Sequence, residues 1–141
     1  AYWDRIGAIR ERVTLPVIAN GEIWILEDAR RCQAESGCQD LMLGRGAVAN
    51  PLLTREVAGG EPAGWTEVLA VLRAFGADIV GTGSEAQLCG RVKQWLSYSR
   101  RRWPQAGPLM ESVKRETRLA DLRAILERES GGNNDGQVVS F

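Results

Sequence analysis

Pro16-Val17-Ile18-Ala19-Asn20-Gly21-Glu22-Ile23 and Leu41-Met42-Leu43-Gly44-Arg45-Gly46-Ala47 are the two stretches on which the fold turns. Each joins an apolar run to a glycine-bearing turn, the pattern of a parallel strand that is covered on both faces and then hands over to a loop. The first strand is expected over residues 15–19, where Pro16, having no N–H for a ladder, fits only at the start. The second is expected over residues 40–44. Between them, residues 26–35 read as a helix closed at Gly37, the usual left-handed stop. Upstream, Ile6, Ile9 and Val13 recur at spacings of three and four and mark an amphipathic helix over residues 4–13. Downstream, a short helix is expected with Asn50 as its cap and Pro51 at its first position. The order helix, strand, helix, strand, helix contains one βαβ unit. Its apolar strands need more sheet around them, and the rest of the sequence does not supply it.

After Gly59-Gly60 and Pro62-Ala63-Gly64 the pattern changes to helices alone, so the fold class is α/β followed by all-α. Val68, Leu69, Val71, Leu72, Phe75 and Ile79 mark one helix over residues 66–80, stopped by Gly81-Thr82-Gly83. Ser84 and Gln87 form a capping box for a second, whose stripe is Leu88, Val92, Trp95, Leu96 and Ser99. Pro104 and Pro108 punctuate before third and fourth segments at 109–114 and 119–129. This reads as a small antiparallel bundle. The expected division is 1–60 for the α/β part, 61–130 for the helical part and 131–141 for a flexible, glycine- and asparagine-rich tail.

With 141 residues, 44% of them hydrophobic, the chain can bury a core. Lys+Arg and Asp+Glu both number 18, so any basic surface must arise from local arrangement. The cysteines, Cys32, Cys38 and Cys89, are never closer than six positions, which fits neither a CxxC metal site nor a disulfide framework. They read as reduced thiols of a cytoplasmic protein, and no metal is expected. No apolar run reaches about 18 residues, so no membrane span is expected either. The first residues already read as a helix in progress, which suggests a piece of a longer protein.

Both glycine turns sit where a parallel strand ends, the face on which α/β proteins bind ligands. Glycines let backbone N–H groups approach an anion, a helix N-terminus adds its positive pole, and Arg45 would add a charge-assisted fork. The plain alternative is that Gly21, Gly44 and Gly46 only make tight turns and Arg45 is solvated.

These two stretches, together with Arg91-Val92-Lys93-Gln94-Trp95-Leu96-Ser97-Tyr98, resemble the tRNA-dihydrouridine synthases. The third block is most like the bacterial branch that modifies uridine 16 of the D-loop, and the resemblance runs from the first residue to about Glu129. It implies the last two βα units of a TIM (β/α)8 barrel followed by a helical-bundle tRNA-binding domain. It further implies an FMN enzyme that uses NADPH to reduce the C5–C6 double bond of uridine in tRNA. Carried over by position, Asn20, Gly21, Glu22, Gly44 and Arg45 hold the flavin phosphate, while Arg91, Val92, Lys93 and Tyr98 contact tRNA. The family's general-acid cysteine and its flavin-holding lysine would both precede Ala1. The chain alone is therefore expected to be inactive, and its open sheet edge to make it fold poorly, self-associate by edge pairing or keep only the helical bundle ordered.

Independently of family, residues 88–107 hold Arg91, Lys93, Arg100, Arg101 and Arg102 and no acid. At about 100° per residue, Arg91, Tyr98 and Arg102 border one side of the apolar stripe, and Lys93 and Arg100 the other. Such residues neutralise phosphates, and a tyrosine can stack on an unpaired base. The alternative is a solvated helix whose arginines pair with Glu85 or with acids of the last helices. Trp95 reads as core, and Trp3 and Trp24 as cover for the barrel wall. Two rival functions remain: another phosphate-binding flavin barrel acting on a small metabolite, and a non-enzymatic RNA-binding helical module.

Overall fold

The computed structural model describes residues 1–132, and the chain divides into two compact units, Ala1–Ala63 and a second beginning at Gly64. The first contains α1 (Trp3–Arg10), β1 (Ala19–Asn20), α2 (Leu26–Ser36), β2 (Leu41–Met42), α3 (Arg45–Ala49) and α4 (Leu53–Val57). The two strands pair in parallel with Ala19 opposite Leu41 and Asn20 opposite Met42, and α2 crosses between them. The loops after β1 and β2 therefore leave from the same end of the sheet.

Several boundaries differ from the sequence reading. The strands are two residues long rather than five, and Leu15, Ile18 and Met42 are exposed to 75%, 59% and 56%. The cover expected on both faces is incomplete among the described residues, where each strand also has one hydrogen-bonded neighbour. Helix α1 stops at Arg10, and Ile9 and Val13 lie in solvent; the buried anchor is Trp3, whose Nε1 donates to Gly21 O at 2.8 Å. Around it, Ala19, Ile23, Ala29, Cys32 and Cys38 form the core of this unit. The α2 region matches closely. Asp28 caps its start by accepting from the Trp24 and Ile25 amides at 3.0 and 3.1 Å, and Gly37 ends it in the left-handed region with φ 66°.

Asn50 ends α3 instead of opening a helix at Pro51. Its Oδ1 accepts from Leu52 N at 3.1 Å, so it still shapes the turn into α4, while its Nδ2 donates to buried Glu56 at 2.9 Å. The same Glu56 Oε1 accepts from Ala63 N at 2.9 Å, folding residues 58–63 back onto α4. A buried carboxylate with two donors is held far better than a bare one, which would be expensive to bury. At Gly46 the backbone of α3 runs against the carbonyl of Ile23: a Cβ placed there would lie 1.9 Å from Ile23 O. Only glycine allows this approach.

The second unit holds α5 (Trp65–Asp78), α6 (Glu85–Ser99), α7 (Ala106–Val113) and α8 (Leu119–Gly132), with α5 against α6 and α8, and α6 against α7 and α8. Ser84 caps α6 as expected, exchanging bonds with Gln87. Leu88, Cys89, Val92, Leu96 and Ser99 form its buried side, and Trp95 meets Phe75 edge-on at 4.8 Å between centroids. Helix α7 begins before Pro108, because a proline in the first turn forfeits no helical hydrogen bond. Helix α8 runs to Gly132, two residues into the stretch expected to be a flexible tail; residues 133–141 lie outside the described residues.

Helix α6 also clamps the α7–α8 connection. Lys93 Nζ donates to Lys114 O at 2.9 Å, at the C-cap of α7 where carbonyls lack helical partners, and to Glu116 O at 2.6 Å in the turn beyond it. Glu85 Oε2 accepts from Leu119 N at 2.6 Å, where α8 begins. A cation thus meets a helix C-terminus and a carboxylate a helix N-terminus, each the favourable sign.

Two stability measurements follow from these contacts. Gly46→Ala is expected to destabilise the chain by about 1–3 kcal/mol or more in urea unfolding, because a methyl group must displace backbone. Lys93→Met, which keeps the aliphatic stem, is expected to cost about 1–3 kcal/mol; a midpoint equal to the parent's would mean that water serves those carbonyls equally well.

Candidate functional site

The loops after β1 and β2 meet in a cleft of about 310 Å³ lined by residues 20–24 and 43–46. All five residues expected at a phosphate, Asn20, Gly21, Glu22, Gly44 and Arg45, lie in it. Gly21 and Gly44 adopt φ values of 120° and 51°, and Gly44 turns the chain directly into α3. The turn of α3 takes up the amides of Gly46, onto Leu43 O at 3.1 Å, and Ala47, onto Gly44 O at 3.1 Å. Among the described residues, no backbone carbonyl takes the amides of Gly44 or Arg45. A pair of successive N–H groups at a tight turn is the kind of concavity that holds an anion. At five residues, α3 is too short for its dipole to add much.

Charge in the cleft is not simply positive. Arg45 Nη2 pairs with Glu22 Oε1 at 2.5 Å, and Trp24 Nε1 donates to the other carboxylate oxygen at 2.8 Å. The guanidinium also lies over the Trp24 ring, 5.4 Å from its centroid. Trp24 therefore lines the cleft rather than covering a wall. Sequence reasoning missed it; its position two residues after a strand-end glycine turn was the available signal. Asn20 is exposed, with Nδ2 3.4 Å from Met42 Sδ.

The expected RNA contacts separate into three kinds. Arg91 is exposed and donates to Thr82 Oγ1 at 3.3 Å, and Tyr98 is half-buried. Val92 is fully buried at 0% exposure, so its side chain belongs to the bundle interior and does not reach a ligand. Lys93 spends two of its donors on the α7–α8 clamp, a structural duty that sequence spacing does not reveal. Glu85, weighed as a partner for these arginines, serves Leu119 N instead. Arg100 is exposed at the end of α6, and its field reaches Glu111. The Lys114 ammonium beside Glu111 holds that carboxyl below the usual range, with Arg100 and Arg115 adding to the effect. Lys114, Arg115 and Arg100 thus form a second basic group that the α6 spacing alone does not show.

The three cysteines are buried and free. Burial pushes the Cys32 and Cys89 thiols up, the reverse of what an exposed nucleophile or proton donor near neutrality needs. No cluster that could hold a metal ion and no helix long and apolar enough to cross a membrane occurs among the described residues.

The chain is similar to known proteins. A family model described as dihydrouridine synthase matches residues 1–81, more than half of the chain. Proteins named tRNA-dihydrouridine(16) synthase are similar over most of its length. The one from Ralstonia nicotianae is 39% identical over 132 residues, covering 90% of this chain and 40% of that protein. The one from Pseudomonas syringae pv. tomato is 40% identical over 132 residues, covering 89% and 42%. The one from Escherichia coli K12 is 42% identical over 125 residues, covering 87% and 40%. The likeness extends well past residue 81 into the helical unit, and the chain spans about 40% of the length of these curated relatives. With the matched region containing both strand-end loops, the chain belongs to the dihydrouridine synthase family.

Proposed function

We propose that this chain supplies the cofactor-phosphate loops and the tRNA-gripping helical unit of a tRNA-dihydrouridine synthase. The parent enzyme reduces the C5–C6 double bond of a uridine in tRNA, the base being position 16 of the D-loop. The names of the relatives support that substrate. In this reading the first unit forms the last two βα units of a (β/α)8 barrel, the cofactor is FMN and the reductant is NADPH.

The convergence of both strand-end loops on one cleft carries the reading. The Gly44 and Arg45 amides, which no backbone carbonyl takes among the described residues, fit phosphate oxygens, and the Arg45 guanidinium has donors beyond the one given to Glu22. Gly46 supports the fit, because its missing side chain lets α3 close tightly on the Ile23 carbonyl beneath the cleft. Bound there, FMN supplies hydride chemistry. The residues of this chain orient it by its phosphate and hold the tRNA. Buried in their units, the three cysteines take no part in proton transfer.

On the helical unit, Arg91 is the exposed cation of the Arg91-Val92-Lys93 run that remains for an RNA phosphate, and Tyr98 offers a partly exposed ring for an unstacked base. Val92 and Lys93 support the same surface from within, by packing and by clamping. This division of labour keeps all four residues relevant to RNA binding while giving only two of them direct contact.

In the intact protein, Arg45→Ala is expected to weaken FMN binding roughly 10–100-fold, the worth of a charge-assisted hydrogen bond, read as lost flavin absorbance after purification. A parent-like yellow preparation would refute the phosphate role. For the RNA surface, Arg91→Ala is expected to lower the slope of log K against log salt for tRNA by about 1, whereas Val92→Ala leaves the slope unchanged. Equal slopes for parent and Arg91→Ala would remove Arg91 from the contact set.

A further inference from the structure

Glu22 is out of place in an anion site on two counts. Its carboxylate faces the cleft that the foregoing reading gives to a phosphate, and it is the one non-glycine residue with positive φ, 52°, among the described residues. Non-glycine side chains adopt that region in only a few per cent of cases, and where they do the local structure must hold them there. Glycine or asparagine would satisfy the turn with less strain. A glutamate at this position therefore invites an account in terms of its side chain.

Both of its carboxylate oxygens are engaged. Oε1 receives Arg45 Nη2 at 2.5 Å and Oε2 receives Trp24 Nε1 at 2.8 Å. The carboxylate thus bridges the loop after β1 to the loop after β2. It does so by occupying the guanidinium that an incoming phosphate would need. Arg45 and Glu22 side chains are 60% and 46% exposed, so the pair is solvated and weak, easily exchanged for a stronger partner. A phosphate monoester dianion, with twice the charge and three acceptor oxygens, is such a partner; a singly charged anion is not.

We propose that Glu22 is an electrostatic latch on Arg45, a stand-in for phosphate that is displaced when a phosphate monoester binds. The inference rests on the phosphate reading of the cleft and adds a selectivity device to it. Trp24 is the latch's resting point: its indole N–H holds the second carboxylate oxygen, which leaves Glu22 a partner when Arg45 is given up to a phosphate, and its ring lies beside the guanidinium in the latched arrangement. The latch sets a threshold. Anions that interact with Arg45 no better than a carboxylate gain little by displacing Glu22, so chloride and carboxylate metabolites are disfavoured without a steric barrier.

The test is a titration of intact apoprotein with FMN and with riboflavin, which lacks the phosphate, for the parent, Glu22→Gln, Arg45→Ala and the double variant. Glutamine keeps the acceptor for Trp24 and the side-chain length while removing the charge. Glu22→Gln is expected to tighten FMN binding about three- to tenfold at low ionic strength, with the gain fading as salt screens exposed charges. Riboflavin affinity is expected to stay unchanged, and the FMN gain to be smaller in the Arg45→Ala background. An unchanged or weaker FMN affinity in Glu22→Gln overturns the latch, as does an equal gain with and without Arg45, or a gain for riboflavin too. If the parent binds riboflavin as tightly as FMN and Arg45→Ala alters neither, the phosphate reading itself fails, and the latch falls with it.

Discussion

The first unit depends on one close approach: the backbone of α3 at Gly46 lies against the carbonyl of Ile23, closer than any side chain would permit. That contact fixes the loop after β2 against the loop after β1, and the cleft is the space left between them. Trp3 reinforces it from the other side by holding Gly21 O with its indole N–H. With the frame set by backbone and a buried tryptophan, the Arg45, Glu22 and Trp24 side chains meet above it without being part of it. Under the phosphate reading proposed above, such a fixed floor would keep the amides aligned, since amide donors lose strength steeply when misaligned.

The helical unit is organised differently, around a helix rather than a contact. Helix α6 contributes a buried side of Leu88, Cys89, Val92, Leu96 and Ser99, and from its flanks it reaches out to both ends of the α7–α8 connection. Packing fixes its rotation, and the two charged side chains then set where the neighbouring helices stop and start. The basic residues Lys114, Arg115 and Arg118 ride on that connection, so their positions are inherited from α6 although they are distant from it in sequence. Arg118 lies 3.8 Å from Asp121, a solvated pair of small energetic weight that leaves its charge in the local field.

Much of this was legible in the residues. The crossover helix and its stop at Gly37, the Ser84 cap and the meeting of the two glycine turns follow from patterns that act over a few positions. What was not legible depended on partners far away in sequence. Strand length was overestimated because an apolar run such as residues 15–19 reports a preference for burial and cannot report whether neighbours are present to bury it. Ile9 and Val13 looked like core for the same reason, while the true anchor, Trp3, sat outside the counted period. Lys93 looked like a free cation because helical spacing places a side chain on a border but says nothing about a carbonyl 21 residues away that needs a donor. Trp24 and the ion pair it supports were missed because a loop residue's neighbours come from another loop.

The paired duties of Glu85 and Lys93 have a consequence for how this helix can change. They lie eight positions apart, a little over two turns, so both clamps depend on one unbroken phase of α6. An insertion or deletion of a single residue between them would rotate one terminus relative to the other by about 100°. Whichever clamp stayed seated, the other would be swung off its target, and either α7 would lose its closing cation or α8 its opening carboxylate. The turns flanking α6, around residues 80–84 and 100–105, are where a change of length would leave the angular relation of the two charges intact.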